Sequence, residues 1–355
     1  MQYIPAQKVA TLLDVAERAS VSKMTVSKVL RNVGNISEKT RLKVREAARD
    51  LGYLPNSLAG SLSSRKSRLV AVIIPSMSDT VFSEVLSGVT SVLRTQGFQT
   101  FMGESHFDPE IEASLISAML SFQPAGLLLN GGMVRNDEAS RLLENRHCPA
   151  MQLWDCENSS LDFSAGPSHD EAGCLVANHF RSRSLSRIAY VGAELEKDLC
   201  ARRRYLSLRA SLAANGLELV SEISEAMPRQ AASGRLLTEQ LIAKYPDIQG
   251  IHYLNDAMAL GGLAYLHEAG ISVPQQISVI GFNGTSIPNT VRTKLTTVDV
   301  PRLAIGEAAA EALLNIIAGK EIEPSWRARI SIVEGNTTIG IDDDVSACCD
   351  RNACS

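Results

Sequence analysis

No stretch of this chain reaches the ~18–20 consecutive apolar residues needed to cross a bilayer. The first ten residues, Met1 to Ala10, lack an apolar core and a small-residue cleavage site, so a secretory signal is not expected and a cytoplasmic protein is. There is no CxxC pair, and the histidines lack metal-ligand spacing, so neither a zinc site nor any cofactor is expected. The seven cysteines, an odd number, fit no disulfide framework. Enzyme signatures are missing too. There is no GxGxxG dinucleotide loop and no GxxxxGK[ST] phosphate loop. Ser168, His169 and Asp170 are consecutive, and neighbours that point in different directions cannot form a triad. What is present is ordinary globular composition, 45% hydrophobic and 21% charged, in 355 residues. That length suggests two or three folding units.

The net charge of −4 conceals an asymmetry. Residues 1–68 carry a balance of +8, and the remainder carries −12. A small basic head on a large acidic body suggests that the head meets a polyanion.

The head reads as three helices. Thr11 is placed to cap the first, with Asp14 as its reciprocal partner, and Leu12, Val15, Ala16 and Ala19 recur at helical spacing. Ser22 caps a second helix that runs to about Arg31 and has Val26, Val29 and Leu30 on its apolar face. A third runs from Ser37-Glu38 to about Asp50, with Leu42, Val44, Ala47, Ala48 and Leu51 available for packing. Two short helices joined by a tight turn, closed by a third, make a helix-turn-helix. In that arrangement the second helix lies in the major groove of double-stranded DNA. Lys23 and Lys28 can then donate to guanine, Met24 can touch a thymine methyl, and Thr25, Ser27 and Arg31 suit phosphates. Beyond Gly52, Pro55-Asn56 reads as a fresh start, with Asn56 as cap, of a helix of about seven residues that contains Gly60. So short a helix is unstable alone, which suggests that it forms only on DNA, where Leu62 could wedge into a base step.

The run from Asp14 to Leu30 (DVAERASVSKMTVSKVL), followed by Gly52 to Asn56 (GYLPN), resembles the head of the LacI/GalR family of transcriptional regulators. The resemblance implies that Lys23, Met24 and Lys28 read bases, that Leu62 is the intercalating residue of a hinge helix, and that Ala59 lies beside it in the minor groove.

From Ser67 onward the pattern changes. Leu69 to Ile74 is a short continuous apolar run, as expected of a strand buried on both faces. Further strands are expected at Phe98–Met102, Gly126–Asn130, Ala150–Leu153, Ile188–Val191, Gly250–Leu254 and Ile277–Gly281. Helical stretches at 81–96, 172–183, 203–215, 234–244 and 256–268 lie between most of them. Alternation of this kind means parallel sheets, and so many strands suggest two α/β lobes with a ligand cleft between them. The fold class is therefore α/β: a small all-α head and hinge helix joined to a two-lobed core. The expected boundaries are 8–55 for the head, 56–67 for the hinge and linker, and 68–338 for the core. Within the core, one lobe takes 69–166 and 296–326, and the other takes 167–295 and 327–338.

Across residues 8–338 the family resemblance continues, carried by Tyr253 to Gly261 (YLNDAMALG) and Ser278 to Asn283 (SVIGFN). It implies a core similar to periplasmic sugar-binding proteins, with Phe82, Asn130, Trp154, Arg202, Asn255 and Asn283 facing a small-molecule effector. Because Arg202, Arg203 and Arg204 are consecutive, a shift of one or two residues changes which of them points inward. Asn283 stands where many family members have Asp, and a neutral amide is kinder to an anion. The segments SKMTVS (22–27), VFSEVL (81–86), GFQT (97–100) and GFNG (281–284) look most like the gluconate-utilisation regulators. The implied effector is gluconate or a close sugar acid, with a neutral sugar as the alternative.

A solute-binding protein would match the body alone but leaves the basic head unexplained. The expectation is thus a homodimeric repressor that the effector releases from a palindromic operator. The segment 339–355, with Asp342 to Asp344 and the reduced thiols of Cys348, Cys349 and Cys354, is read as a disordered tail.

Overall fold

A computed structural model describes residues 10–54, 67–157, 159–285 and 293–340. The sequence readings at Asn56, Ala59 and Leu62, and that of the tail from residue 341, lie outside the described residues. The chain divides into two compact units, 1–67 and 68–355.

In the first unit, helices α1 (Leu12–Ala19), α2 (Lys23–Leu30) and α3 (Glu38–Asp50) follow the sequence reading closely. Thr11 Oγ1 accepts from Asp14 N–H, and the Asp14 carboxylate accepts from Thr11 N–H, which closes the capping box. Ser22 and Ser37 cap the other two helices. Val15, Ala16, Ala19, Val26, Val29, Val44, Ala47 and Ala48 form the core. Leu42 and Leu51, expected to pack, are exposed. The wetting of Leu42 follows from helical geometry: two residues of separation turn it about 200° away from Val44.

The second unit holds two six-stranded sheets. The first lobe has strands β1 (Leu69–Ile74), β2 (Gln99–Glu104), β3 (Gly126–Asn130), β4 (Ala150–Leu153), β5 (Phe163–Gly166) and β11 (Ser325–Arg327), in the order β11-β5-β4-β3-β1-β2. Its helices are α4 (Thr80–Thr95), α5 (Pro109–Ser121), α6 (Asp137–Glu144) and α11 (Arg302–Ile317). In the second lobe, β6 (Arg187–Ala193), β7 (Glu218–Glu225), β8 (Gly250–Tyr253), β9 (Ser278–Asn283), β10 (Thr296–Asp299) and β12 (Ser331–Val333) take the order β12-β10-β9-β8-β6-β7. Helices α7 (His169–Arg181), α8 (Leu199–Ala214), α9 (Ala231–Lys244) and α10 (Asp256–Glu268) cover it. All strand pairs are parallel except β10 with β12.

The central strands are apolar because helices cover both faces; Val70 to Ile74 and Leu127 to Leu129 are buried throughout. The chain crosses between lobes three times, after β5, β10 and β11. Residues 296–299, expected in the first lobe, pair with β9 as β10 of the second. Ile339, read as the start of the tail, is tied to the second lobe: its N–H donates to Ser278 Oγ, and its carbonyl accepts from Arg183 Nε.

Candidate functional site

On α2, Val26 and Val29 face the core, which turns Lys23, Met24 and Lys28 to solvent. Met24 is 66% exposed, an apolar side chain displayed among cations. Thr25 Oγ1 shares a hydrogen bond with Ser22 Oγ, Ser27 is half-buried, and Arg31 Nε donates to Ser27 O. The sequence-derived set thus shares one helix, with its cations clear of any ion pair among the described residues.

In the body, the loops at the carboxyl ends of β1, β2, β6, β7, β8 and β9 enclose a cleft of about 510 Å³ between the lobes. This is where open α/β sheets bind ligands. Ser76, Asp79, His106 and Phe107 line it from the first lobe, and Glu194, Arg229, Asn255, Asp256, Asn283 and Thr285 from the second. Backbone strain collects here. His106, Phe107, Glu194 and Asn283, all of which line the cleft, take positive φ, a sparsely populated conformation for such residues.

The six sequence-predicted residues part company. Asn255 and Asn283 line the cleft. Asn255 caps α10 through Oδ1 and donates Nδ2 to Arg229 O, so its amide positions backbone. Asn283 Oδ1 is buried with no hydrogen bond. Phe82 and Trp154 sit edge to face, 6.2 Å between ring centroids, and Phe107 joins Phe82 at 6.3 Å. Trp154 also meets Phe282 of the second lobe at 6.5 Å, so an aromatic seam runs between the lobes. Asn130 is buried at the end of β3; Nδ2 donates to Gly131 O, and Oδ1 makes no hydrogen bond.

Arg202 does not reach the cleft. Its side chain is 49% exposed and lies 3.8 Å from Glu196. Successive helical residues turn by about 100°, so only one of three consecutive arginines can face fully inward. That one is Arg204. Its guanidinium lies 3.6 Å over the Phe282 ring, and it donates to His169 Nδ1 and Leu254 O. Because guanidinium only donates, His169 Nδ1 is the acceptor and Nε2–H donates to Trp154 O. Burial, then the Arg204 charge, lowers the His169 pKa to about 3, consistent with this neutral form. Arg203 pairs with Asp155 at 3.2 Å.

The cation in the cleft is Arg229, which the sequence reading missed. It follows β7, whose sequence ELVSEISE is too polar to stand out as a strand, so the loop beyond it drew no attention. A lone arginine after Pro228 was the available signal. Arg229 Nη1 donates to Asp198 at 2.6 Å, and its guanidinium lies 4.0 Å over the Phe107 ring of the opposite lobe. Nε and Nη2 are buried and make no hydrogen bond; Glu194 lies 3.6 Å from Nε. Burial alone would raise the Asp198 carboxyl, but Arg229, the Ala201 N–H and Arg204 together hold it below its usual value.

No group of three or more potential metal ligands, and no helix long and apolar enough to cross a membrane, occurs among the described residues.

Residues 11–56 match the family described as bacterial regulatory proteins, lacI family, and residues 177–338 match the periplasmic binding protein-like domain. The HTH-type transcriptional regulator GntR of Pseudomonas aeruginosa is 38% identical over 89% of this chain and 91% of its own length. A crystal structure of a LacI-family transcriptional regulator from Silicibacter pomeroyi superposes with a TM-score of 0.86 at 37% identity, covering 92% of this chain and 99% of that one. The Lac repressor dimer bound to operator and the anti-inducer ONPF gives 0.81 at 26% identity, covering 94% and 100%. With a named regulator more than one-third identical along nine-tenths of its length, the chain belongs to the lacI family of bacterial regulatory proteins and is a DNA-binding transcriptional regulator, not an enzyme.

Proposed function

We propose that this regulator is a cytoplasmic repressor that binds a palindromic operator as a homodimer and is released from it by a sugar acid such as gluconate. The observation that carries the effector class is Arg229. Two of its nitrogens, Nε and Nη2, are buried at the cleft without a hydrogen bond. On a guanidinium these two present parallel N–H donors, the fork that matches a carboxylate, with the Glu194 carboxylate 3.6 Å from Nε beside it. Nearby Ser76, Asp79 and Thr285 offer donors and acceptors to hydroxyls, and Asn283 supplies a neutral amide where a carboxylate would repel an anion. The resemblance to the gluconate-utilisation regulators and the relative named GntR agree with this reading.

At the head, Lys23, Met24 and Lys28 read bases, Thr25, Ser27 and Arg31 position the helix on phosphates, and Asn56, Ala59 and Leu62 form the minor-groove hinge. The homologous Lac repressor dimer on its operator supports two heads on a symmetric site. Effector binding favours a lobe geometry that disfavours operator binding, and reciprocity requires DNA to weaken the effector by the same factor.

The test is a calorimetric titration with gluconate, with glucose as the neutral control, repeated with operator DNA present. Gluconate binding, absent for glucose and weakened by operator, is the expected result. Equal binding of both sugars would remove the carboxylate clamp, and tighter operator binding with gluconate would reverse the sign of regulation.

A further inference from the structure

We propose that Arg302 is a positioning residue that couples the two lobes: it holds Asn283 in its cleft-facing conformation and ties that conformation to helix α4 through Glu84. This inference rests on the reading of the cleft as the effector site.

Arg302 is the first residue of α11, immediately after the crossover from β10. It is buried, and its nitrogens are spent on both lobes. On the second-lobe side, Nη1 donates to Asn283 O and to Val300 O at 2.7 Å, and Nη2 donates to Gly284 O at 3.0 Å. On the first-lobe side, Nε donates to Glu84 Oε2 at 2.6 Å. Glu84 stands on α4, two residues beyond Phe82 of the aromatic seam.

The carbonyls held by the fork belong to Asn283, strained at φ 112, and to Gly284, which takes φ 65 as glycine readily does. A non-glycine residue in such a conformation costs ~1–3 kcal/mol and persists only when its surroundings over-determine it. A planar, permanently charged fork that grips the carbonyls of two successive residues does this; lysine, a single point donor, cannot. Asn283 lines the cleft and its Oδ1 is buried without a hydrogen bond, so the backbone that Arg302 fixes carries an unpartnered acceptor at this site.

The Glu84 pair turns a local clamp into a connection. If the lobes separate, the end of β9 moves relative to α4, and either the ion pair or the carbonyl fork breaks. Breaking the Glu84 pair leaves the buried guanidinium with only the more distant Asp299 carboxylate, 3.7 Å from Nη1, which is unfavourable. Arg302 therefore makes closure of the lobes and the conformation of Asn283 one event.

The chain has two tryptophans, and Trp154 lies in the seam between the lobes. In a Trp326→Phe background, acrylamide quenching of the remaining Trp154 reports opening of the cleft without any ligand. Glu84→Ala removes the first-lobe anchor and leaves the carbonyl fork intact. Its expected effect is at least a twofold larger quenching constant, with unchanged far-ultraviolet circular dichroism. Glu84→Gln, which keeps an acceptor, is expected to fall between Glu84→Ala and the parent, and Arg302→Lys to match Glu84→Ala. Because the Glu84 side chain is one-third exposed, its variants carry the test even where Arg302→Lys is too unstable to purify. Quenching in Glu84→Ala equal to that of the parent would overturn the coupling and leave Arg302 a local clamp. A parent that ignores gluconate while Glu84→Ala still opens would remove the effector assignment and leave the coupling standing.

Discussion

The guanidinium of Arg229, in the second lobe, lies 4.0 Å above the ring of Phe107, in the first. Stacked on that face, paired with Asp198 and 3.6 Å from Glu194, it lines the cleft with two donors that make no hydrogen bond. Arg229→Gln should weaken gluconate binding by about ten- to a hundredfold, since hydrogen bonds to a charged group contribute about 1.5–3 kcal/mol. The substitution also takes from the buried Asp198 carboxylate its ion-pair partner, leaving it the Ala201 N–H and the charge of Arg204. Arg229→Gln with Asp198→Asn separates the two effects. The double variant should recover stability to urea but not gluconate affinity, both measurable on one preparation. Recovery of affinity would mean that Arg229 acts only through Asp198.

Asp256 offers a pH test. Burial lifts its carboxyl to about 6 from the ordinary 3.8, against the hydrogen bonds from Thr297 and Thr285 and the charge of Arg302. Between pH 4 and 6 the folded protein then binds more protons at this site than the unfolded chain, so the site destabilises progressively as pH rises. Fully developed above pH 6, the penalty is up to about 3 kcal/mol. Asparagine cannot ionise, so Asp256→Asn should gain on the wild type by that amount between pH 4 and pH 7. Urea unfolding of both proteins across this range gives the comparison, and a constant difference would contradict the assignment.

Much of this architecture is written in local patterns. Thr11 with Asp14, and the serines at 22 and 37, announce the head because capping chemistry is confined to three or four neighbouring residues. The inner strands announce themselves because burial on both faces demands apolar runs such as LVAVII. Strand β7 is hidden for the opposite reason: as a sheet edge it is half-wet and polar. Arg229 is hidden with it, since nothing local shows that a loop following a polar segment faces Phe107. The choice among Arg202, Arg203 and Arg204 depends on the phase of α8 against Phe282, a tertiary relationship that three identical side chains cannot reveal. Asn255 shows the converse, since a correctly placed polar residue is occupied with capping a helix and holding the backbone of Arg229.

Helices α4 and α11 touch through glycines. A Cβ on Gly306 would lie 1.9 Å from Val85 O, and one on Gly88 would lie 2.1 Å from Leu303 O. Main-chain atoms cannot swing aside as side chains do, so Gly306→Ala must push the helices apart and should cost at least about 2–3 kcal/mol, the upper range for overpacking. Alanine at Gly319, which has no neighbouring atom in the way but φ 72, isolates backbone strain as a control. Its cost should stay near ~1–2 kcal/mol, the left-handed penalty for one L-residue. Urea denaturation of the two variants should rank them in that order; equal losses would show that the contact between the helices is not tight.

The head supplies the last expectation. Met24 and Lys28 both leave the exposed side of α2, yet the proposed roles differ in kind: Met24 contributes apolar contact to a thymine methyl, and Lys28 donates to guanine. Lys28→Ala should therefore relax base preference at one position of each half-site, by about 1–3 kcal/mol against the best base. Selection of binding sites from randomised half-sites reads this directly. If Lys28 instead holds a phosphate, the selected sequences stay the same, affinity falls uniformly, and the salt dependence becomes shallower by about one counterion per head. Met24→Ala should leave the salt dependence untouched, because no charge is lost, while lowering the preference for thymine. Two substitutions four residues apart on one helix thus separate base reading from backbone positioning in a single pair of salt titrations.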